Sequence, residues 1–254
     1  SQGATVRPLA IDDEGLIPGS DLSGCDCIYV TPSHQSPTTV TLSAERRQAL
    51  LDQASKDEFV LIEDDYEAET SFAARPQPAL KGLDKSDRVI YVGSLSKTLA
   101  PGLRIGYLVG PQSFIQEARA LRRLMLRHPA SNNQRAVALF LGRGYHDSLI
   151  RQLVSTYRER WECMKAALER HLPQSAAAPA FGGSSFWVQG PPGLDARQLS
   201  EEAMGEGILI EPGDIHFLQP GAPQHYFRLG YSSIPVERIE PGIQRLAAII
   251  ERLV

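Results

Sequence analysis

Lys97 follows closely on the apolar run Val89-Ile-Tyr-Val92, with Ser94 and Ser96 just before it and Arg104 just after. An amine, two hydroxyls and a guanidinium at the end of one strand are the groups that hold a phosphorylated carbonyl compound. The amine condenses with the carbonyl, while hydroxyls, arginine and backbone N–H groups take the phosphate. Asp64 and Tyr66 end a second apolar run, Phe59-Val-Leu-Ile62. Spaced by two, they point to one side of an extended segment. A carboxylate there would keep a pyridine nitrogen protonated, and a phenol would hydrogen-bond a ring oxygen. The alternative is that Glu63-Asp-Asp65 is merely an acidic turn at a strand end. Arg228 lies inside the apolar strand Tyr226-Phe-Arg-Leu-Gly230, where an unpaired guanidinium would be costly. It suits a carboxylate of a ligand, or else a structural pair with one of the chain's own acids.

Other uses of the Lys97 segment fit less well. A phosphate-binding P-loop needs glycine immediately before its lysine, and Ser96 stands there. Ser94-Leu-Ser-Lys97 matches the S-x-x-K of serine β-lactamases, and Ser131-Asn-Asn133 imitates their second motif. The sequence contains no K-T-G, however, and Ala100-Pro-Gly102 would break the helix such a lysine needs.

The elements that must position these groups alternate. Ala4–Ile11 reads as a weak strand closed by the turn Asp12-Asp-Glu-Gly15, and Cys27–Val30 as a buried strand running into a proline-rich loop, Thr31–Thr38. Ser43 caps a helix over Ala44–Ala54, after which come the strand at Phe59–Ile62 and the loop Arg75-Pro-Gln-Pro78. Strand Val89–Val92 connects to Ile105–Val109 by a link too short for a crossover helix, so these two should run antiparallel in an otherwise parallel sheet. In such sheets ligands sit at the carboxyl ends of the strands.

Helices are expected over Pro111–His128, Gln134–Gly142 and Asp147–His171, the last closed by Pro173 and an alanine-rich loop. The first carries Arg119, Arg122, Arg123 and Arg127 on one face, read as a solvated or dimer-contacting face more readily than as a site for an acidic partner. Strands at Ser185–Val188, Leu209–Glu211 and Tyr226–Gly230, with helices at Ala196–Gly205 and Glu237–Leu253, form an α+β remainder. A boundary near Gly144 divides 1–144, a large cofactor-binding domain, from 145–254, the long connecting helix and a small C-terminal domain.

Composition sets outer bounds. The 254 residues suffice for one or two domains, and the formal charge of −4 offers no electrostatic case for nucleic-acid binding by this chain itself. No apolar run approaches the roughly 20 residues that span a membrane, so no membrane partner is expected. Cys25, Cys27 and Cys163 show neither a disulfide framework nor zinc spacing. With no secretory signal in Ser1-Gln-Gly-Ala-Thr5, a reducing, cytoplasmic setting is expected. The strand-like opening without methionine reads as the middle of a longer polypeptide.

Three motifs in order, Thr31-Pro-Ser-His-Gln-x-Pro-Thr38, Ile62-Glu-Asp-Asp-Tyr66 and Ser94-Leu-Ser-Lys-Thr-Leu-Ala-Pro-Gly-Leu-Arg104, resemble fold-type-I pyridoxal-phosphate (PLP) enzymes. The match is better still to the aminotransferase-like domain of MocR/GabR-type bacterial transcription regulators, and it runs over essentially the whole chain. It implies an α/β fold of that type: a partial large domain with a mainly parallel sheet, plus a small α+β domain. It also implies that Lys97 is the aldimine lysine, that Asp64 meets the pyridine nitrogen and Tyr66 the 3-oxygen. Ser94 and Arg104 would hold phosphate, His34 or Gln35 would lie beside the ring, and Arg228 would bind a carboxylate of the ligand.

Such regulators place a winged-helix DNA-binding domain ahead of this one, contact DNA only through it, and form homodimers. The expected role is therefore sensing of an amino compound by aldimine exchange at Lys97. The alternatives are a working class I/II aminotransferase and a cofactor-free remnant of the fold. The glycine/serine phosphate loop and the ring-stacking aromatic of the pattern are absent, so weak or no retention of PLP is expected. Thr39 stands where the motif usually has glycine, and Gly182-Gly-Ser-Ser-Phe186 replaces a commoner Gly-Leu-His version.

Overall fold

The computed structural model describes residues 3–72, 77–177, 182–219 and 221–254. Arg75 and Pro76 of the proline-rich loop, and 178–181 of the alanine-rich loop, lie outside them.

The segment expected as a strand from Ala4 is irregular until β1 (Ile11–Asp12), which pairs with β2 (Gly15–Leu16) around a tight turn. Weak alternation with Pro8 in its middle cannot sustain a ladder. β3 (Cys27–Val30), α1 (Ala44–Asp57), β4 (Val60–Asp64), the short helix α2 (Leu80–Leu83), β5 (Val89–Ser94) and β6 (Gly106–Val109) follow. They form a sheet in the order β3-β4-β5-β6, with β3, β4 and β5 parallel and β6 antiparallel to β5. The short link after Lys97 thus has the consequence expected of it. α1 begins at Ser43, whose hydroxyl accepts from the Arg46 N–H, and it lays Leu50, Leu51 and Ala54 on Ile28, Leu61 and Val89 of the sheet.

α3 (Gln112–Leu126), α4 (Ser131–Gly142) and the long α5 (Tyr145–His171) lead to a second layer. Here β7 (Ala176–Ala177), β8 (Ser185–Gln189), β9 (Glu211–Pro212) and β10 (Tyr226–Gly230) make an antiparallel sheet ordered β7-β8-β10-β9. α6 (Ala196–Gly205) and α7 (Val236–Leu253) complete this layer. A separate core joins Leu168 of α5, Val188, Phe227, Leu199 and Leu246. The strand expected at Leu209–Glu211 is shorter, and only Glu211 and Pro212 pair with β10.

The acidic run at the end of β4 is sorted by strand alternation. Glu63 is fully buried on the α1 side and accepts from the N–H groups of Leu80 and Lys81 at 2.7 and 2.9 Å, capping α2. Asp65 is buried on the same side and accepts from the Tyr91 hydroxyl at 3.3 Å. Burial pushes both carboxyl groups up from their ordinary range. Asp64 turns to the opposite face.

Beneath this edge lies Arg47, a fully buried arginine of α1. Its guanidinium donates to the carbonyls of Leu42, Pro78 and Pro32 at 3.0, 2.9 and 2.8 Å. The charges of Glu63 and Asp65 act on it as well. Three chain segments are thereby tied to one planar donor. Arg47→Met should lower stability by at least about 3 kcal/mol in urea denaturation, because it leaves buried carbonyls and carboxylates without their partner.

Candidate functional site

Parallel pairing brings the chemistry-bearing residues to one edge. Val30, Asp64 and Ser94 end neighbouring strands, with Val30 paired to Glu63 and Asp64 to Val92. His34 lies just past β3, Tyr66 just past β4, and Lys97 in the turn after β5. Gly106 pairs with Ser94, and the Leu95 N–H donates to the Ile105 carbonyl at 3.0 Å, so Arg104 reaches the same edge from the antiparallel strand. Arg104 holds a left-handed conformation at φ 50°, which turns the chain from a short 3-10 segment into β6. A Cβ on Gly93 would stand 2.3 Å from the Tyr107 ring, so a larger residue there would push that half-exposed ring aside.

Each group has a definite setting. Asp64 accepts a hydrogen bond from the Tyr29 hydroxyl of β3. The Tyr66 hydroxyl donates to the His34 carbonyl at 3.2 Å. Burial, and then the charge of Glu67, pushes the Tyr66 phenol up to about 12, so it remains a proton donor. Lys97 and Arg104 are exposed and, among the described residues, make no ion pair or hydrogen bond through their side chains. The Ser94 hydroxyl accepts from the Ser96 N–H at 3.3 Å and keeps its own proton for another acceptor. The neighbouring Thr98 hydroxyl is buried and unpartnered among the described residues.

His34 is only 3% exposed, and its Nδ1 has no hydrogen-bond partner among the described residues. The second layer closes over it. A Cβ on Gly182 would fall 2.8 Å from His34 Nε2 and 2.7 Å from the Ser71 Cα, so only glycine allows the approach. Ser184 donates to the buried Glu67 beside it.

Arg228 resolves differently from a bare ligand-binding guanidinium. Alternation along β10 sends Phe227 and Leu229 into the core and Arg228 to the other face. There Nη1 donates to Glu211 Oε2 and Nε to the Ser185 hydroxyl, each at 2.9 Å. Of the two readings open for Arg228, the pair with an acid of the chain is the one present. Its charge nonetheless acts on the Tyr66 phenol, opposing the larger effect of burial.

The sequence reading missed Tyr29, Glu67, Ser184, Ser185 and Glu211. Alternation in Cys27–Val30 could have placed Tyr29 on the Asp64 face; nothing local in the sequence joins Glu67 to Ser184. An open cavity of about 440 Å3, lined by Val92, Gly106, Tyr107, Ile115 and Arg119 among others, includes none of Lys97, Asp64, Tyr66, Ser94, Arg104, His34 and Arg228.

Comparison with known proteins agrees with this architecture. The family model for aminotransferase class I and II matches residues 20–246, and the chain belongs to that family. Over 96% of its length it is 45% identical to the HTH-type transcriptional regulator TauR of Rhodobacter capsulatus. Over 97% it is 32% identical to the probable rhizopine catabolism regulatory protein MocR of Rhizobium meliloti. It spans about half of each, 51% and 50%, and corresponds to the aminotransferase-like domain of such GntR/MocR-type regulators. The crystal structure of an archaeal alanine:glyoxylate aminotransferase superposes with a TM-score of 0.93 at 28% identity, covering 99% of this chain and 65% of that one. The fold is therefore the fold-type-I aminotransferase α/β fold, with a mostly parallel sheet and a C-terminal antiparallel sheet. Among the described residues no helix is long and apolar enough to cross a membrane.

The family is typically PLP-dependent, and the residues at this edge fit that group. A primary amine, a guanidinium and a hydroxyl with uncommitted donors suit an aldehyde and a phosphate dianion. Asp64, oriented by Tyr29, suits a pyridinium nitrogen.

Burial lowers the His34 imidazole to about 4. The unfolded chain takes up the proton near 6.5 while the folded chain resists it to about 4, so stability falls as the pH drops through that window. Between pH 7 and pH 5 this one group should cost about 2 kcal/mol. Urea midpoints at the two pH values should show a smaller loss in His34→Asn than in the unchanged protein.

Proposed function

We propose that this chain is the effector-binding domain of a PLP-dependent bacterial transcription regulator, in which an amino compound takes the place of Lys97 on the cofactor. The observation that carries the reading is the convergence of Lys97, Asp64, Tyr66, Ser94 and Arg104 on one strand edge, in a chain similar to regulators over nearly all its length. When bound, the cofactor supplies an electrophilic carbonyl carbon and an electron-withdrawing ring.

The protein's part is positional. Lys97 Nζ would be the amine that meets the carbonyl and that an incoming amine replaces. Asp64 would hold a proton on the ring nitrogen, and the Tyr66 hydroxyl, released from the His34 carbonyl, would donate to the 3-oxygen. Ser94 and Arg104 would take the phosphate, with His34 beside the ring. Arg228, whose charge reaches Tyr66, receives an anionic group of the ligand, a carboxylate or sulfonate.

Lys97 stands on the first layer and Arg228 on the second, so a compound bridging them would favour one arrangement of the layers. A difference in affinity between two arrangements is what a switch needs. A division at 144/145 is supported by two separate hydrophobic cores lying on either side of it. DNA contact belongs to a further domain of the intact protein. A homodimer is supported by the apolar side chains that α3 leaves exposed, Leu121, Leu124, Met125 and Leu126. The Arg119, Arg122, Arg123 and Arg127 side of the same helix is read as a solvated or dimer-contacting face.

A second reading, a catalytic aminotransferase, is favoured by the near-complete superposition on an aminotransferase. In it the Lys97 amine also carries the α-proton as general acid and base. The intact protein with PLP should show a visible absorbance band that Lys97→Ala abolishes; a band that survives would remove Lys97 from its role. Amino donors should shift the band without producing keto acid. Sustained turnover would instead establish the enzyme.

A further inference from the structure

Glu211 occupies the guanidinium that the reading above gives to the ligand. It stands directly opposite Arg228 in the β9–β10 register, so both side chains project from the same face of the sheet. Its Oε2 accepts from Arg228 Nη1 at 2.9 Å, and its Oε1 lies 3.3 Å from His216 Nε2. Ser185 holds Arg228 Nε, which leaves Nη2 as the nitrogen without a partner among the described residues. A two-pronged hydrogen bond to a carboxylate or sulfonate uses two guanidinium nitrogens, through either the Nη1/Nη2 or the Nε/Nη2 edge. One nitrogen of each edge is already engaged.

The engaged carboxylate is also easy to move. The Arg228 and Glu211 side chains are 28% and 40% exposed, so water screens their attraction. β9 has only two residues, at the outer edge of its sheet, and one of them is Pro212. Rotating the Glu211 side chain towards His216 and solvent disturbs nothing in the core formed by Phe227 and Leu229 on the opposite face.

We propose that Glu211 is an internal competitor for Arg228, a carboxylate that the anionic group of an amino compound must displace, so that Glu211 sets the concentration at which the site responds to anionic compounds. This rests on the reading of Arg228 as the anion-binding residue. A compound with an uncharged tail has no reason to displace Glu211 and gains nothing from its removal. The Arg228–Glu211 pair thus keeps affinity for anions low without altering affinity for neutral amines.

The test uses acetate and methanesulfonate as anionic probes and acetamide as the neutral one, titrated into the intact protein at constant ionic strength. Trp187 reports on the site through its fluorescence, since it pairs with Arg228 across β8–β10 and stacks on Tyr226 with 5.5 Å between ring centroids. Glu211→Gln and Glu211→Ala should each lower the half-saturating anion concentration about three- to tenfold, the scale of a partly exposed ion pair. Acetamide should be unaffected, and the gain should vanish in Glu211→Gln/Arg228→Gln.

Unchanged anion midpoints in both Glu211 variants, with Arg228→Gln still weakening the unaltered protein's response, would overturn the proposal alone. An anion response that ignores Arg228→Gln would overturn the assignment of Arg228 beneath it. If both Glu211 variants lose their folded circular dichroism, Glu211 is a structural partner and the proposal fails. None of these titrations involves Lys97 or the cofactor, so each outcome stands apart from the absorbance test.

Discussion

Arg47 holds together the three segments on which the candidate site depends. A fully buried guanidinium has to find acceptors for its N–H groups, and here they are the backbone carbonyls of Pro32, Leu42 and Pro78. Pro32 and Leu42 bracket the loop that carries His34, a loop too rich in proline to be held by a ladder of its own. Pro78 precedes α2, whose first N–H groups are taken by Glu63 of β4. One cation inside the layer therefore fixes both the loop on one side of Asp64 and the helix behind it. Asp65, also within reach of that charge, leaves Asp64 and Tyr66 to face the other way.

Much of this arrangement was legible in the sequence, for local reasons. Runs such as Val89–Val92 and Tyr226–Gly230 declare themselves by apolar content, and the helix at Ala44–Ala54 by its apolar spacing and its Ser43 cap. The antiparallel turn of β6 follows from chain length alone. With those elements placed, Lys97, Asp64, Tyr66, Ser94 and Arg104 had to meet at one edge.

What could not be read is what depends on pairing between distant segments. Glu211 is opposite Arg228 only because β9 and β10 adopt one register, and sequence spacing says nothing of that. The approach of Gly182 to His34 likewise depends on the second layer docking on the first. Ala4–Ile11 shows the same limit, since its weak alternation has no partner strand to satisfy its backbone groups and the segment stays irregular up to Ile11. Thr39 illustrates the opposite case. The resemblance marked it as a glycine position, and its φ of 64° shows why, since a β-branched residue is strained there.

Among the described residues, several contacts between the two layers lie beside the candidate site. Gly182 lies on His34, Ser184 donates to Glu67, and Trp161 of α5 meets the Phe72 ring edge-on, with 6.2 Å between centroids. Each contact joins a residue near the carboxyl edge of the first sheet to an element of the second layer. A ligand that touched both Lys97 and Arg228 would act across this seam directly, with no chain of intermediates. Hydrogen bonds here, unlike the packed cores on either side, can be exchanged without opening a cavity. Under the proposed sensing role, the seam beside His34 and Arg228 is where the binding of a small molecule would have to outweigh the contacts that oppose it.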